Sequence, residues 1–187
     1  MKKHIIYALA FLLLVGSQSP FAGKGVVKKL LQWTNQQEEK ANLNVNSIVK
    51  ACFNMSKSKT GALIIITTDS ELKYHASTGV DIDSKLSSIF LESIFFKNSP
   101  LHDGGVIIHN NRIKAAKCIL PLSDNPDIPV HFGLRHRAAA GLTENSPAIA
   151  IVVSEETGKI SLIVGTKYKL DLSPEKLKEE IQQALKN

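Results

Sequence analysis

The sequence predicts an α/β fold: a mixed central β-sheet flanked by helices on both faces. Three observations carry this. Short continuous apolar runs rich in β-branched residues recur along the chain, as in ALIIIT (62–67), PAIAIVV (147–153) and ISLIVG (160–165). Runs of that length and composition fit strands buried on both faces. Segments whose apolar residues repeat with a helical period lie between them, and that interleaving is the pattern of a sheet covered by helices. With 187 residues and 43% hydrophobic content, the chain can form one domain plus a short appendage.

In order, the chain opens with MKKHIIYALAFLLLVGSQSPFAG. A basic start precedes an apolar run from Ile5 to Val15 and then small polar residues. Residues 1–23 therefore read as a hydrophobic anchor or a signal peptide. Residues 24–43 read as a polar-faced helix or linker, and 44–187 as the folded domain. Val45, Ile48, Val49 and Cys52 stand at i, i+3, i+4 and i+7, which predicts an amphipathic helix ended by SKSKTG. The strand at 62–67 follows. DIDSKLSSIFLESIFFK (81–97) reads as a helix capped by Asp81 or Asp83, with Leu86, Ile89, Phe90 and Ile94 as its core stripe. Val106–Ile108 and Ile113–Leu120 read as strands joined by Asn110-Asn111, a pair suited to a tight hairpin. Arg135 to Leu142 open a short helix. SEETGK (154–159) turns the chain between the last two long strands. Ser173-Pro174-Glu175 starts a final helix with a serine cap and a first-turn proline, and Leu177, Ile181 and Leu185 form its apolar face.

Several function classes are excluded or left unsupported. The net charge of +6 allows an anionic partner without choosing one. No Lys/Arg stripe with interleaved aromatics appears, so no nucleic-acid partner is expected. Cys52 and Cys118 sit in apolar stretches without CxxC spacing and read as buried reduced thiols. His102, His109 and His131 complete no HExxH-type spacing, so a structural zinc is unsupported. GxGxxG, GxxxxGK[ST] and GxSxG are absent.

Three polar clusters fall at predicted strand ends, where α/β domains place ligands. Asp103-Gly104-Gly105 puts a carboxylate beside backbone without side chains. Alone it reads as a plain turn or as a site where a substrate or metal approaches closely. Arg135-His136-Arg137 offers forked donors suited to phosphate at a helix start. Alone it reads equally as a solvated basic turn. Glu155 and Glu156 read as an exposed hairpin tip or as a source of a metal ligand.

Taken together the clusters are more specific. The order SPLHDGGVII, IKAAKCILPLS and FGLRHRAAAGLTENSPAIAIVVSEETGKIS resembles the catalytic domain of diadenylate cyclases, from about Leu63 to Leu162. That family's signatures are an Asp-Gly-Ala and an Arg-His-Arg. The resemblance implies a diadenylate cyclase-like fold and a nucleotidyltransferase that condenses two ATP into cyclic di-AMP. It implies that Asp103 activates the ribose 3′-hydroxyl and helps hold a metal. Gly104 and Gly105 would let the nucleotide lie against the backbone, and Leu120 would line the adenine pocket. Gly133, Leu134, Arg135, His136, Arg137 and Ala138 would form the triphosphate site, with Asp103, His136 and Glu155 as metal ligands. Mg²⁺ or Mn²⁺, with Co²⁺ as a further candidate, would be the cofactor. Catalysis would need a homodimer with two domains face to face.

Three positions depart from the family pattern. Gly105 stands where the family has alanine. Leu134 stands where it has threonine, and a lost hydrogen bond to a charged group costs roughly 1.5–3 kcal/mol. Ile119 stands where an aromatic often stacks on adenine. A second reading follows, a catalytically weakened module that binds ATP or cyclic di-AMP. A third is an exported anion-binding protein, resting on the signal-like start. Because the matched motifs need ATP, the expected location is the cell membrane, single-pass, with the domain in the cytoplasm. The alternative is export after cleavage.

Overall fold

The structure, a computed structural model, describes residues 43–67, 72–129 and 132–186. The anchor or signal segment (1–23) and most of the 24–43 linker lie outside the described residues. No helix among the described residues is long and apolar enough to cross a membrane.

Among the described residues, seven strands form one mixed sheet. They are β1 (Ala62–Thr67), β2 (Val80–Lys85), β3 (Gly105–His109), β4 (Arg112–Cys118), β5 (Ile149–Val153), β6 (Ile160–Val164) and β7 (Lys167–Lys169), in the order β2-β4-β3-β1-β5-β6-β7. β1 and β3 run parallel, and every other neighbouring pair is antiparallel. Among the described residues five helices accompany them: α1 (Val45–Lys57), α2 (Lys73–Ser77), α3 (Ser88–Phe95), α4 (Leu134–Thr143) and α5 (Pro174–Ala184).

The apolar runs bury both faces because successive strand side chains point to opposite sides. In β1, Ala62, Ile64 and Ile66 join the core under α1, α3 and α5, with Ile48, Cys52, Leu91, Phe95 and Leu177. Leu63 and Ile65 join the core on the other face, under α2 and α4, with Ala139, Ala140 and Leu142. α4 is rich in small residues for a steric reason. A Cβ on Gly141 would lie 2.4 Å from the Pro121 carbonyl oxygen, so only glycine lets the helix approach that segment.

Local devices fix the ends of these elements, with the 110–111 turn and the Ser173 cap as predicted. Asn44 caps α1, accepting from the Ser47 amide at 3.1 Å. Asn110 and Asn111 both adopt positive φ, 53° and 57°, as a two-residue hairpin turn requires. Ser173 caps α5 through the Lys176 amide at 3.2 Å. Both cysteines are free and buried.

The single helix expected over 81–97 is corrected. Residues 80–85 form edge strand β2, paired antiparallel with β4, and α3 begins only at Ser88. The cap is Ser87, whose hydroxyl accepts from the Phe90 amide at 3.3 Å, not Asp81 or Asp83. Asp83 has φ 40° at a break in the strand register, and its carboxylate receives Arg112 at 2.9 Å and Lys114 at 2.7 Å from β4. Pairing across the sheet therefore decides this segment. Ile89, expected in the core stripe, is 75% exposed. β4 also ends at Cys118, short of the expected Leu120, with Lys117 turning the chain at φ 58°.

Candidate active site

One end of the sheet gathers the chemistry. There β4 and β5 finish while β1 and β3 begin, and α4 presents its N-terminus beside them.

Asp103 is exposed on the loop entering β3, with no hydrogen bond or ion pair to another described residue. Gly104 follows at φ +100°, and a Cβ there would lie 2.7 Å from the Cys118 carbonyl oxygen. Backbone conformation and close approach both demand glycine. Gly105 is buried against Leu120, whose Cδ1 a Cβ would meet at 2.8 Å. The loop thus crosses tightly under the end of β4 and leaves the carboxylate in solvent.

Beside Asp103 lies an apolar slot of about 540 Å³ whose walls include Leu63, Ile119, Leu120, Leu122, Leu134 and Ala138. Ile119 and Leu134 are 72% and 73% exposed, large apolar side chains left open at its mouth. Thr78, which sequence reasoning missed, holds this wall: its Oγ1 accepts from the Ile119 amide at 3.0 Å. Cys118 also lines the slot, and burial pushes its thiol up to about 11, so it stays neutral at pH 7.

A second, polar cavity of about 640 Å³ shares Asp103, Leu134 and Arg135 with the slot and adds His136, Ser154 and Glu155. Its floor includes the start of α4. Gly133 occupies the N-cap without a side-chain cap bond, and a Cβ there would meet nothing within 4 Å. The start of the helix is thus uncrowded on the Gly133 side, an arrangement suited to an anion.

The three residues of Arg135-His136-Arg137 diverge. Arg135 Nη1 donates to Glu155 Oε2 at 2.7 Å, while its buried Nε has no hydrogen-bond partner. The pair lies over Gly61, where a Cβ would be 2.8 Å from both Arg135 Nη1 and Glu155 Oε2. His136 stacks on Phe132 at 4.5 Å and lies 3.2 Å through Nε2 from the Ser161 hydroxyl. Arg137 turns away from both cavities: its Nη2 donates to the Ser123 carbonyl at 3.1 Å, and its own carbonyl accepts from the Ser123 amide. In this structure Arg137 braces the segment behind the slot.

Asp103, His136 and Glu155 line one cavity, yet among the described residues no group of three or more His, Cys, Asp or Glu is assembled around a metal position. Glu155 already has one oxygen on Arg135. The donor set fits a cation of the Mg²⁺ type, which is commonly held by one or two carboxylates with substrate phosphates completing its shell.

Comparison with known proteins places these features in context. The family model described as DisA bacterial checkpoint controller nucleotide-binding (DAC) matches residues 49–168. Cyclic di-AMP synthase CdaA of Bacillus subtilis is 42% identical over 149 residues, covering 80% of this chain and 55% of that protein. A diadenylate cyclase of Listeria monocytogenes is 46% identical over 133 residues, 71% of this chain and 49% of that one. The chain therefore spans about half the length of these relatives. A crystal structure of DacA from Staphylococcus aureus, a double cysteine mutant, superposes with a TM-score of 0.73 at 40% identity, covering 76% of this chain and 95% of that one.

Proposed function

The chain belongs to the DAC nucleotide-binding family, and from that premise we propose that it condenses two ATP into cyclic di-AMP with release of two pyrophosphates. One observation carries the reading: Asp103 and Arg135 both border the apolar slot and the polar cavity. A base held in the slot puts its ribose beside the carboxylate and its phosphates before the guanidinium and the start of α4.

The chemistry suits these groups. The 3′-oxygen of one nucleotide bonds to the α-phosphorus of another. The bond from that phosphorus to the oxygen bridging the β-phosphate breaks, and its electron pair leaves with pyrophosphate. Asp103 takes the hydroxyl proton. Arg135 holds negative charge with forked donors, and Glu155 fixes its direction. Leu120 and Leu134 exclude water around the base. A bound Mg²⁺ or Mn²⁺ would neutralise phosphate charge, with Asp103 its best-placed ligand here. Two such transfers close the ring, so two chains must meet face to face around a two-fold axis. We further propose that residues 1–23 anchor the chain in the cell membrane with the domain in the cytoplasm, where ATP is supplied.

The test is the full chain in detergent, incubated with ATP and in turn Mg²⁺, Mn²⁺ and Co²⁺, with products read by mass spectrometry. The expected product is cyclic di-AMP, lost on adding EDTA and reduced at least about a hundredfold in Asp103→Asn. ATP binding without any product, at concentrations where dimers form, would instead identify a binding module.

A further inference from the structure

A third cavity of about 560 Å³ opens on the other side of the Arg135–Glu155 pair. It shares His102, Arg135 and Glu155 with the polar cavity, so the two adjoin across these side chains. Its own walls bring Ser58, Lys59, Thr60 and Lys97. Neither Lys59 nor Lys97 has an ion-pair partner among the described residues. With Arg135 already paired to the cavity's one carboxylate, the space carries two uncompensated positive charges.

Lys59 gives a second, independent indication. It follows the last turn of α1 at φ 50°, with its amide on the Ser56 carbonyl at 3.2 Å and the Thr60 amide on the Met55 carbonyl at 2.8 Å. This is the left-handed position closing a helix, where glycine is the least strained residue. The chain carries a lysine there instead. Its Cγ packs 3.6 Å from where a Cβ of Gly158 would stand, on the turn that also carries Glu155. Backbone of this kind costs stability and concentrates at functional sites.

We propose that this basin takes the β- and γ-phosphates of the bound nucleotide and then the departing pyrophosphate, with Lys59 and Lys97 as its cations. The inference rests on the cyclase reading for its biological sense, since the basin borders the same Arg135 before which that reading places the phosphates. Its ligand chemistry, a small polyanion, is argued from the charges alone.

Lys59→Gly is the discriminating variant, because glycine suits the backbone there. It should keep the melting temperature at or above wild type while removing the ammonium. Calorimetry of the full chain with inorganic pyrophosphate and Mg²⁺ should show affinity about tenfold or more weaker in Lys59→Gly and in Lys97→Ala. Product inhibition by pyrophosphate should weaken in parallel, and Lys59→Arg should retain most of both. Unchanged pyrophosphate affinity in both variants, or no measurable pyrophosphate binding by wild type, overturns the proposal. If cyclic di-AMP is made but pyrophosphate affinity ignores both lysines, the basin falls and the cyclase reading stands. If no cyclic product forms yet the affinity drops in both variants, the basin stands and the cyclase reading falls.

Discussion

Gly104 and Gly105 stand side by side after Asp103 and are constrained for different reasons. Gly104 has φ +100°, and the obstacle to a side chain is the backbone of Lys117 and Cys118, which cannot move without opening the sheet. Gly104→Ala should therefore cost about 1–3 kcal/mol of stability and displace the carboxylate. Gly105 has no such conformation, and its obstacle is the tip of the Leu120 side chain, which can rotate. Gly105→Ala should fold normally and keep activity, matching the alanine of the family signature. Thermal melting and turnover of the two variants, measured side by side, check this. Equal losses would remove the distinction between a backbone and a side-chain obstacle. Leu134 raises a related question. It is the first residue of α4 and 73% exposed at the junction of slot and polar cavity. Leu134→Thr places a hydroxyl where phosphate is expected, and should raise kcat/KM for ATP by about ten- to a hundredfold. A fall instead would show that the slot uses leucine to hold the base.

At the scale of elements, β2 is held by charge and backbone pairing more than by burial. Its residues are exposed or half-buried throughout. The Asp83 carboxyl is lowered to about 2, first by the hydrogen bond from Arg112, then by that from Lys114. A depressed carboxyl contributes stability that is full above its unfolded value near 4 and is lost as pH falls through the folded value. Amide hydrogen exchange over 80–85 should thus accelerate, beyond the intrinsic pH effect, between about pH 4 and pH 2. In Asp83→Asn that extra pH dependence should vanish. Protection independent of Asp83 would leave the strand to backbone pairing alone. The same segment shows what was legible in the sequence. β1, β5 and β6 announce themselves by continuous apolar runs, and α1 and α5 by period and caps, because burial imposes those patterns locally. β2 carries no such pattern: its partners Arg112 and Lys114 are about thirty residues away, and the helical period of 86–94 masks it. α2 and β7 are too short to show any period. In the site, Asp103, Arg135 and Glu155 were legible from their motifs. Gly61 and Thr78 were not, since each acts on a residue distant in sequence through one contact. Arg137 was legible as a cation, but its contact with Ser123 depends on how closely α4 packs against 121–123.

At the scale of the whole molecule, the apolar slot beside Asp103 has room for a single nucleotide. A 3′-oxygen cannot reach the α-phosphorus of its own nucleotide in a way that yields a two-nucleotide ring. On the proposed reaction the second nucleotide comes on another copy, and the solvent-facing Asp103, Ile119 and Leu134 leave that side of the site open to it. Synthesis should then depend on the square of protein concentration while monomers predominate. Specific activity should fall in proportion on dilution over about a hundredfold and level off once dimers are saturated. The chemistry adds a sharper signature. If each chain supplies one of the two transfers, as proposed, a dimer of wild type and Asp103→Asn can make one phosphodiester bond but not the second. Mixing wild type with excess Asp103→Asn, with time for exchange, should deplete cyclic di-AMP and accumulate a linear dinucleotide that keeps one triphosphate. Mass spectrometry separates the two products. Specific activity constant on dilution, with no linear product in the mixture, would mean that one chain completes both transfers, and the face-to-face arrangement would have to be abandoned.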